Sequence, residues 1–243
     1  MFGWRRRIGY ITPTVMEVVA YDFYRFAPEG VGLVGVTCNI DDWRPEEFEK
    51  GLAQVTHAAG YLGSRGVDYI IHGGGPLVVA RGKQYEEAIV RDIEKASGVP
   101  ATTGVRAGME GLRAIGAKRV AIASPYPKRH DEAMSAYLAA NGFEMVLAEG
   151  MDIAFKELQN VPPVEIYRFA RGVIERAGAS RIDALYMPCP QWQTAQVVDV
   201  LERDTGVTVV AYAHATFHAA FARLGLRDRI DGHGRLMASL AGR

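Results

Sequence analysis

Arg7-Ile8-Gly9-Tyr10-Ile11-Thr12-Pro13-Thr14 and Arg119-Val120-Ala121-Ile122-Ala123-Ser124-Pro125-Tyr126 read alike. Each is a short apolar run closed by a hydroxyl residue, a proline and a second hydroxyl residue. A second pair follows in the same order. Asp68-Tyr69-Ile70-Ile71-His72-Gly73-Gly74-Gly75 matches Asp183-Ala184-Leu185-Tyr186-Met187-Pro188-Cys189-Pro190. A third pair sets Gly98-Val99-Pro100-Ala101 against Gly206-Val207-Thr208-Val209. Shared order and similar separations mark an internal repeat. The repeat predicts two similar α/β lobes, each with a mainly parallel four-stranded sheet, related by an approximate two-fold axis. The expected first lobe is residues 1–117 plus 214–243, and the second is 118–213.

Outward from these stretches, the pattern alternates between strand and helix. Strands are expected at Arg7–Ile11, Val31–Cys38, Asp68–Ile71, Val99–Thr102, Arg119–Ala123, Met145–Ala148, Ala184–Met187 and Val207–Ala211. They are rich in Val and Ile and mostly apolar on both faces, as strands of a covered parallel sheet are. Between them, Phe48, Leu52, Val55, Ala59 and Leu62 recur at helical spacing, as do Tyr85, Ile89 and Ile93, and Val197, Val198 and Leu201. Gly66, Gly98, Gly142, Gly178 and Gly206 stand where helices should stop. Right-handed crossovers then complete an α/β fold.

Composition narrows the function. The chain has 243 residues, 28 basic and 28 acidic, so its net charge recruits neither nucleic acid nor an anionic membrane. Two cysteines cannot frame a fold of this size with disulfides. No apolar run reaches the roughly 18 residues of a membrane span. The basic start Arg5-Arg6-Arg7 lacks a signal-peptide apolar region and cleavage site. A soluble cytoplasmic protein is expected.

Ligands of open α/β sheets bind beyond the carboxyl ends of strands. Four strand-end loops should therefore surround one cleft between the lobes: Pro13-Thr14, Gly73-Gly74-Gly75-Pro76, Pro125-Tyr126 and Pro188-Cys189-Pro190-Gln191. The repeat sets Gly74 opposite Cys189 and Thr14 opposite Tyr126. A thiol near a helix start, here near Gln193, can have a depressed pKa and act as acid, base or nucleophile. The competing reading of Cys189 is an inert buried thiol. Cys38 reads as core. The three glycines allow close backbone approach and N–H donation, or simply form a turn. They match neither the G-x-G-x-x-G fingerprint nor a P-loop. Tyr126 and Thr14 are candidate donors to a carboxylate, with packing and helix capping as the alternatives. His72 could face the cleft or the sheet. His214 and His218 have metal-compatible spacing, but no third ligand follows, so no metal is expected. Asp41-Asp42 and His130-Asp131 read as solvated loop or helix-start residues. Tyr10, Trp43 and Trp192 are candidates for an aromatic wall.

These motifs, with Ala80-Arg81-Gly82 and Ala215-Thr216 leading into 217–226, resemble the aspartate/glutamate racemase superfamily. Within it the chain resembles the branch of maleate cis-trans isomerases and arylmalonate decarboxylases, over nearly its whole length. The resemblance implies a homodimer or larger assembly, and no metal or organic cofactor. Racemases and isomerases of this type carry one cysteine in each lobe. The decarboxylases have glycine at the first position and keep the second cysteine, which protonates an enediolate after carbon dioxide is lost. Gly74 and Cys189 fit the decarboxylase pattern. Gly75-Pro76 depart from it, because the decarboxylases typically carry Thr-Ser there and proline has no N–H.

The expected function is therefore a cofactor-independent lyase acting on a small malonate-type carboxylic acid. Cys189 and Tyr126 would be catalytic, and Pro13, Thr14, Gly74, Gly75, Pro190, His72 and His214 would line the substrate. The alternative is an isomerase or racemase of a small dicarboxylate or amino-acid derivative, with a histidine as second acid/base. A non-catalytic carboxylate binder is a third reading.

Overall fold

The computed structural model describes residues 2–40, 42 and 44–242, without the side chains of residues 45 and 48. Asp41 and Trp43 therefore lie outside the described residues, as does the Phe48 side chain on its expected helix face.

All eight strands form. They are β1 (Arg6–Thr12), β2 (Val31–Thr37), β3 (Tyr69–His72), β4 (Ala101–Thr103), β5 (Arg119–Ser124), β6 (Glu144–Gly150), β7 (Ala184–Met187) and β8 (Thr208–Ala211). They make two four-stranded sheets of order β2-β1-β3-β4 and β6-β5-β7-β8, parallel throughout. The identical order is the repeat expressed as topology. Strand ends differ from expectation by a residue or two; β4, for example, starts after Pro100, which has no N–H for the ladder. Burial on both faces holds for the central strands β3 and β7, which are buried throughout. The edge strands β2 and β6 are only partly covered.

Ten helices connect and flank the strands among the described residues: α1 (Glu17–Phe26), α2 (Pro45–Ser64), α3 (Gly75–Arg81), α4 (Lys83–Ser97), α5 (Gly104–Ala114), α6 (Lys128–Ala140), α7 (Pro163–Ala177), α8 (Val198–Thr205), α9 (Tyr212–Arg223) and α10 (Gly234–Ala238). The repeat-related glycines Gly98 and Gly206 end α4 and α8 at φ of 70° and 72°. That left-handed conformation lets the chain stop the helix and turn into the next strand.

The helices α5 and α9, which follow β4 and β8, pack against each other between the sheets. The expected lobe limit at 213/214 lies in the first turn of α9. One apolar cluster joins Val78 of α3 and Val105 and Met109 of α5 to Val120 and Ile122 of β5 and Tyr186 of β7. A second joins β1 and α1 to Ala195 and α9. No helix among the described residues is long and apolar enough to cross a membrane.

Candidate active site

The carboxyl ends of β1, β3, β5 and β7 deliver their loops to one small cavity of about 40 Å³. The first sheet contributes Pro13, Thr14, Gly74 and Gly75, with Pro76 and Leu77. The second contributes Tyr126, Cys189, Pro190 and Gln191. Phe155 and Leu158 complete the wall. They come from a 3-10 turn (Phe155–Asn160) beyond β6. This segment lies outside the four strand-end loops expected from the sequence. The repeat held its signal, because the equivalent loop after β2 carries Asn39 and Ile40 to an adjoining outer chamber of about 450 Å³.

Cys189 is 1% exposed. Its sulfur accepts the Gln191 N–H at 3.4 Å. The Tyr126 hydroxyl also bonds the sulfur, and it approaches the Pro188 carbonyl at 3.5 Å. Burial pushes the Cys189 thiol up to about 12, against the opposing effects of Tyr126 and the N–H groups of Gln191 and Trp192. This corrects the expectation of a depressed pKa. Only a short 3-10 turn (Thr194–Gln196) follows the loop, and α8 starts at Val198. No long helix dipole therefore aims at the sulfur, which is a neutral thiol at physiological pH.

Across from it, Gly74 sits at φ 83°, ψ 49° before α3. Its carbonyl accepts from Leu77 at 3.0 Å and Val78 at 3.3 Å. The Gly75 N–H has no acceptor among the described residues, and Pro76 has no N–H to offer. A Cβ on Gly74 would stand 3.3 Å from Leu77 Cδ1 and 3.4 Å from Pro13 Cγ. The first lobe thus presents backbone where a two-thiol site would present sulfur.

The hydroxyl pairs at the strand ends are not equivalent. Ser124 Oγ accepts the Tyr126 N–H at 2.9 Å and donates to Asp131 at 2.6 Å. Asp131 is therefore buried support for the Tyr126 loop, which corrects its reading as solvated. In the first lobe Thr12 Oγ1 takes the Thr14 N–H at 3.4 Å. Thr14 Oγ1 accepts from Gln191 Nε2 at 2.7 Å, and the same nitrogen reaches the Val15 carbonyl at 3.0 Å. Gln191 thereby ties the two lobes together at the cavity wall.

His72 and His214 do not line the cavity, which corrects their assignment to substrate. His72 ends β3 in register with Ile11 and Thr103, and burial lowers it to about 4. His214 packs 5.2 Å from Phe26 and 6.4 Å from His233, and burial lowers it to about 3. Both are neutral and set in the packing. Trp192 packs on Phe169 instead of forming a cavity wall, and Tyr10 lies behind the site with its hydroxyl 2.8 Å from that of Tyr212. Cys38 is buried in the first-sheet core. Among the described residues no three His, Cys, Asp or Glu side chains are grouped to hold a metal ion.

A family model described as arylmalonate decarboxylase matches residues 8–237. The arylmalonate decarboxylase of Bordetella bronchiseptica is 29% identical over 238 residues, spanning 94% of this chain and 95% of that protein. A maleate isomerase of Pseudomonas putida is 26% identical over 251 residues, spanning 96% and 97%. Among solved structures, a liganded arylmalonate decarboxylase variant superposes with a TM-score of 0.87 at 25% identity, covering 95% of this chain and 98% of that one. In that variant a glycine is exchanged for cysteine and a cysteine for serine. With the family matched from β1 to α10, the chain is an enzyme of the arylmalonate decarboxylase family.

Proposed function

We propose that the protein is a cofactor-independent decarboxylase of small malonate-type acids, working through an enediolate that Cys189 protonates. One observation carries the reading: the buried thiol of Cys189, hydrogen-bonded to Tyr126, lines the same cavity as Gly74, the residue that the repeat pairs with it. A thiol held protonated is suited to donate a proton. An isomerase or racemase needs a second acid/base opposite the first, and glycine stands there.

The apolar walls of Pro13, Leu77, Phe155 and Leu158 replace water around the departing carboxylate. As carbon dioxide leaves, the electrons of the broken carbon–carbon bond enter the enediolate. In this reading the Gly75 N–H and the Thr14 hydroxyl, both from residues that line the cavity, stabilise its oxygens. Cys189 then gives its proton to the α-carbon. The Tyr126 hydroxyl and the Gln191 N–H stabilise the resulting thiolate until solvent reprotonates it.

A panel of substituted malonates in deuterated water tests this, following carbon dioxide and label together. One deuterium should enter the α-carbon for each carbon dioxide released. Cys189→Ala should lower turnover by about 10²- to 10⁴-fold with the fold intact. Undiminished carbon dioxide release by that variant would overturn the reading.

A further inference from the structure

Between Met187 and Thr194 the chain forms no helix or strand, yet it carries both Cys189 and Gln191. Its far end is fastened by a carboxylate from the other lobe. Asp22 lies on α1, packed beside the first sheet, and is 1% exposed. Its Oδ2 accepts from the Thr194 N–H at 3.0 Å, the Thr194 hydroxyl at 3.0 Å and the Ala195 N–H at 3.3 Å. Its Oδ1 has no partner among the described residues. The cavity does not include it.

Burying a carboxylate is costly, and one oxygen left without a donor raises that cost. An apolar side chain would fill this place in α1 with less penalty. The three donors all belong to the turn that ends the Cys189 loop, so the interaction acts on that loop and not on α1 alone. With Gln191 bound to Thr14 and Val15, the loop has two anchors on the first lobe, one on each side of Trp192.

We propose that Asp22 is a positioning residue for Cys189: from the opposite lobe it anchors the loop that carries the thiol and holds that thiol closed against solvent. The consequence is a reactivity difference between the two cysteines. Cys38 also has little exposed surface, but it follows β2 in the first-sheet cluster, borders a surface pocket beside α2, and takes no part in the anchor.

The test is the alkylation rate of each cysteine by iodoacetamide, read by mass spectrometry of the two cysteine peptides in the folded full-length protein. It requires no substrate, so its outcome is independent of the decarboxylase reading. Asp22→Ala should accelerate labelling of Cys189 about ten-fold or more while Cys38 keeps its wild-type rate. Asp22→Asn retains an acceptor oxygen and should restore slow labelling. If Asp22→Ala does not fold, Thr194→Val, which removes only the hydroxyl donor, should show the same selective acceleration at smaller size. Unchanged labelling of Cys189 would overturn the proposal. So would parallel acceleration of both cysteines, which marks global loosening, or Asp22→Asn labelling as fast as Asp22→Ala.

Discussion

At Cys189 two effects compete, and their sizes decide the chemistry. Hydrogen bonds from Tyr126 and the Gln191 and Trp192 N–H groups favour the thiolate, while burial opposes it and wins, leaving the thiol at about 12. Proton donation from this group should therefore stay level between about pH 7 and about pH 10 in a kcat profile. A decline beginning near an ordinary thiol pKa of about 8.5 would contradict it. Tyr126→Phe removes a donor to a charge that forms during the reaction. Hydrogen bonds to charged groups contribute about 1.5–3 kcal/mol, so kcat should fall roughly 10- to 100-fold with KM little changed. Steady-state kinetics of the variant checks this. Gly74 is the other decisive residue. At φ 83° a side chain is strained, so Gly74→Ala should cost about 1–2 kcal/mol in a denaturant titration.

At the scale of elements, the carboxyl end of β5 is fixed to α6 by Ser124 and Asp131. Burial raises the Asp131 carboxyl to about 6, with the Ser124 hydrogen bond acting against the shift. The folded protein therefore prefers the protonated acid more than the unfolded chain does. That contribution to stability is complete below the ordinary carboxylate pKa and is lost as pH rises through about 6. Asp131→Asn keeps an acceptor for Ser124 and carries no charge. It should raise Tm at about pH 8 by about 2–4 °C for each kcal/mol recovered, and have little effect at about pH 4. A melting series against pH distinguishes this from a substitution that only damages packing, which would lower Tm throughout. The 3-10 turn beyond β6 belongs to the same scale. It brings Phe155 and Leu158 over the cavity, so the edge strand serves the site as well as the central ones do.

For the whole molecule, the two lobes share their apolar interior. The α3–α5 surface of the first packs on β5 and β7 of the second, and α9 returns from β8 to pack near α1 and β3. Splitting the chain would expose both halves of that interior. Unfolding followed by calorimetry should give one cooperative transition, and residues 118–213 expressed alone should not fold. Two separable transitions would show that the lobes are independent. The shared interior also explains why a carboxylate on α1 can act on a loop that follows β7.

The eight strands, the repeat, the mainly parallel pairing and the four loops that meet at the cavity were legible in the linear sequence, whereas the strand order was not. These depend on local periodicity and on punctuation by Gly and Pro, which a linear string displays directly. Gly74 and Cys189 were legible in the same way, as unequal members of one repeat. That Cys189 is a neutral thiol follows from the packing, because burial is a property of everything that surrounds the sulfur. Packing alone also removed His72 and His214 from the site and turned Asp131 from a surface residue into a buried support. The link between Asp22 and Thr194 joins residues 172 positions apart. No local pattern encodes such a contact, since it exists only once two separately patterned lobes have closed on each other.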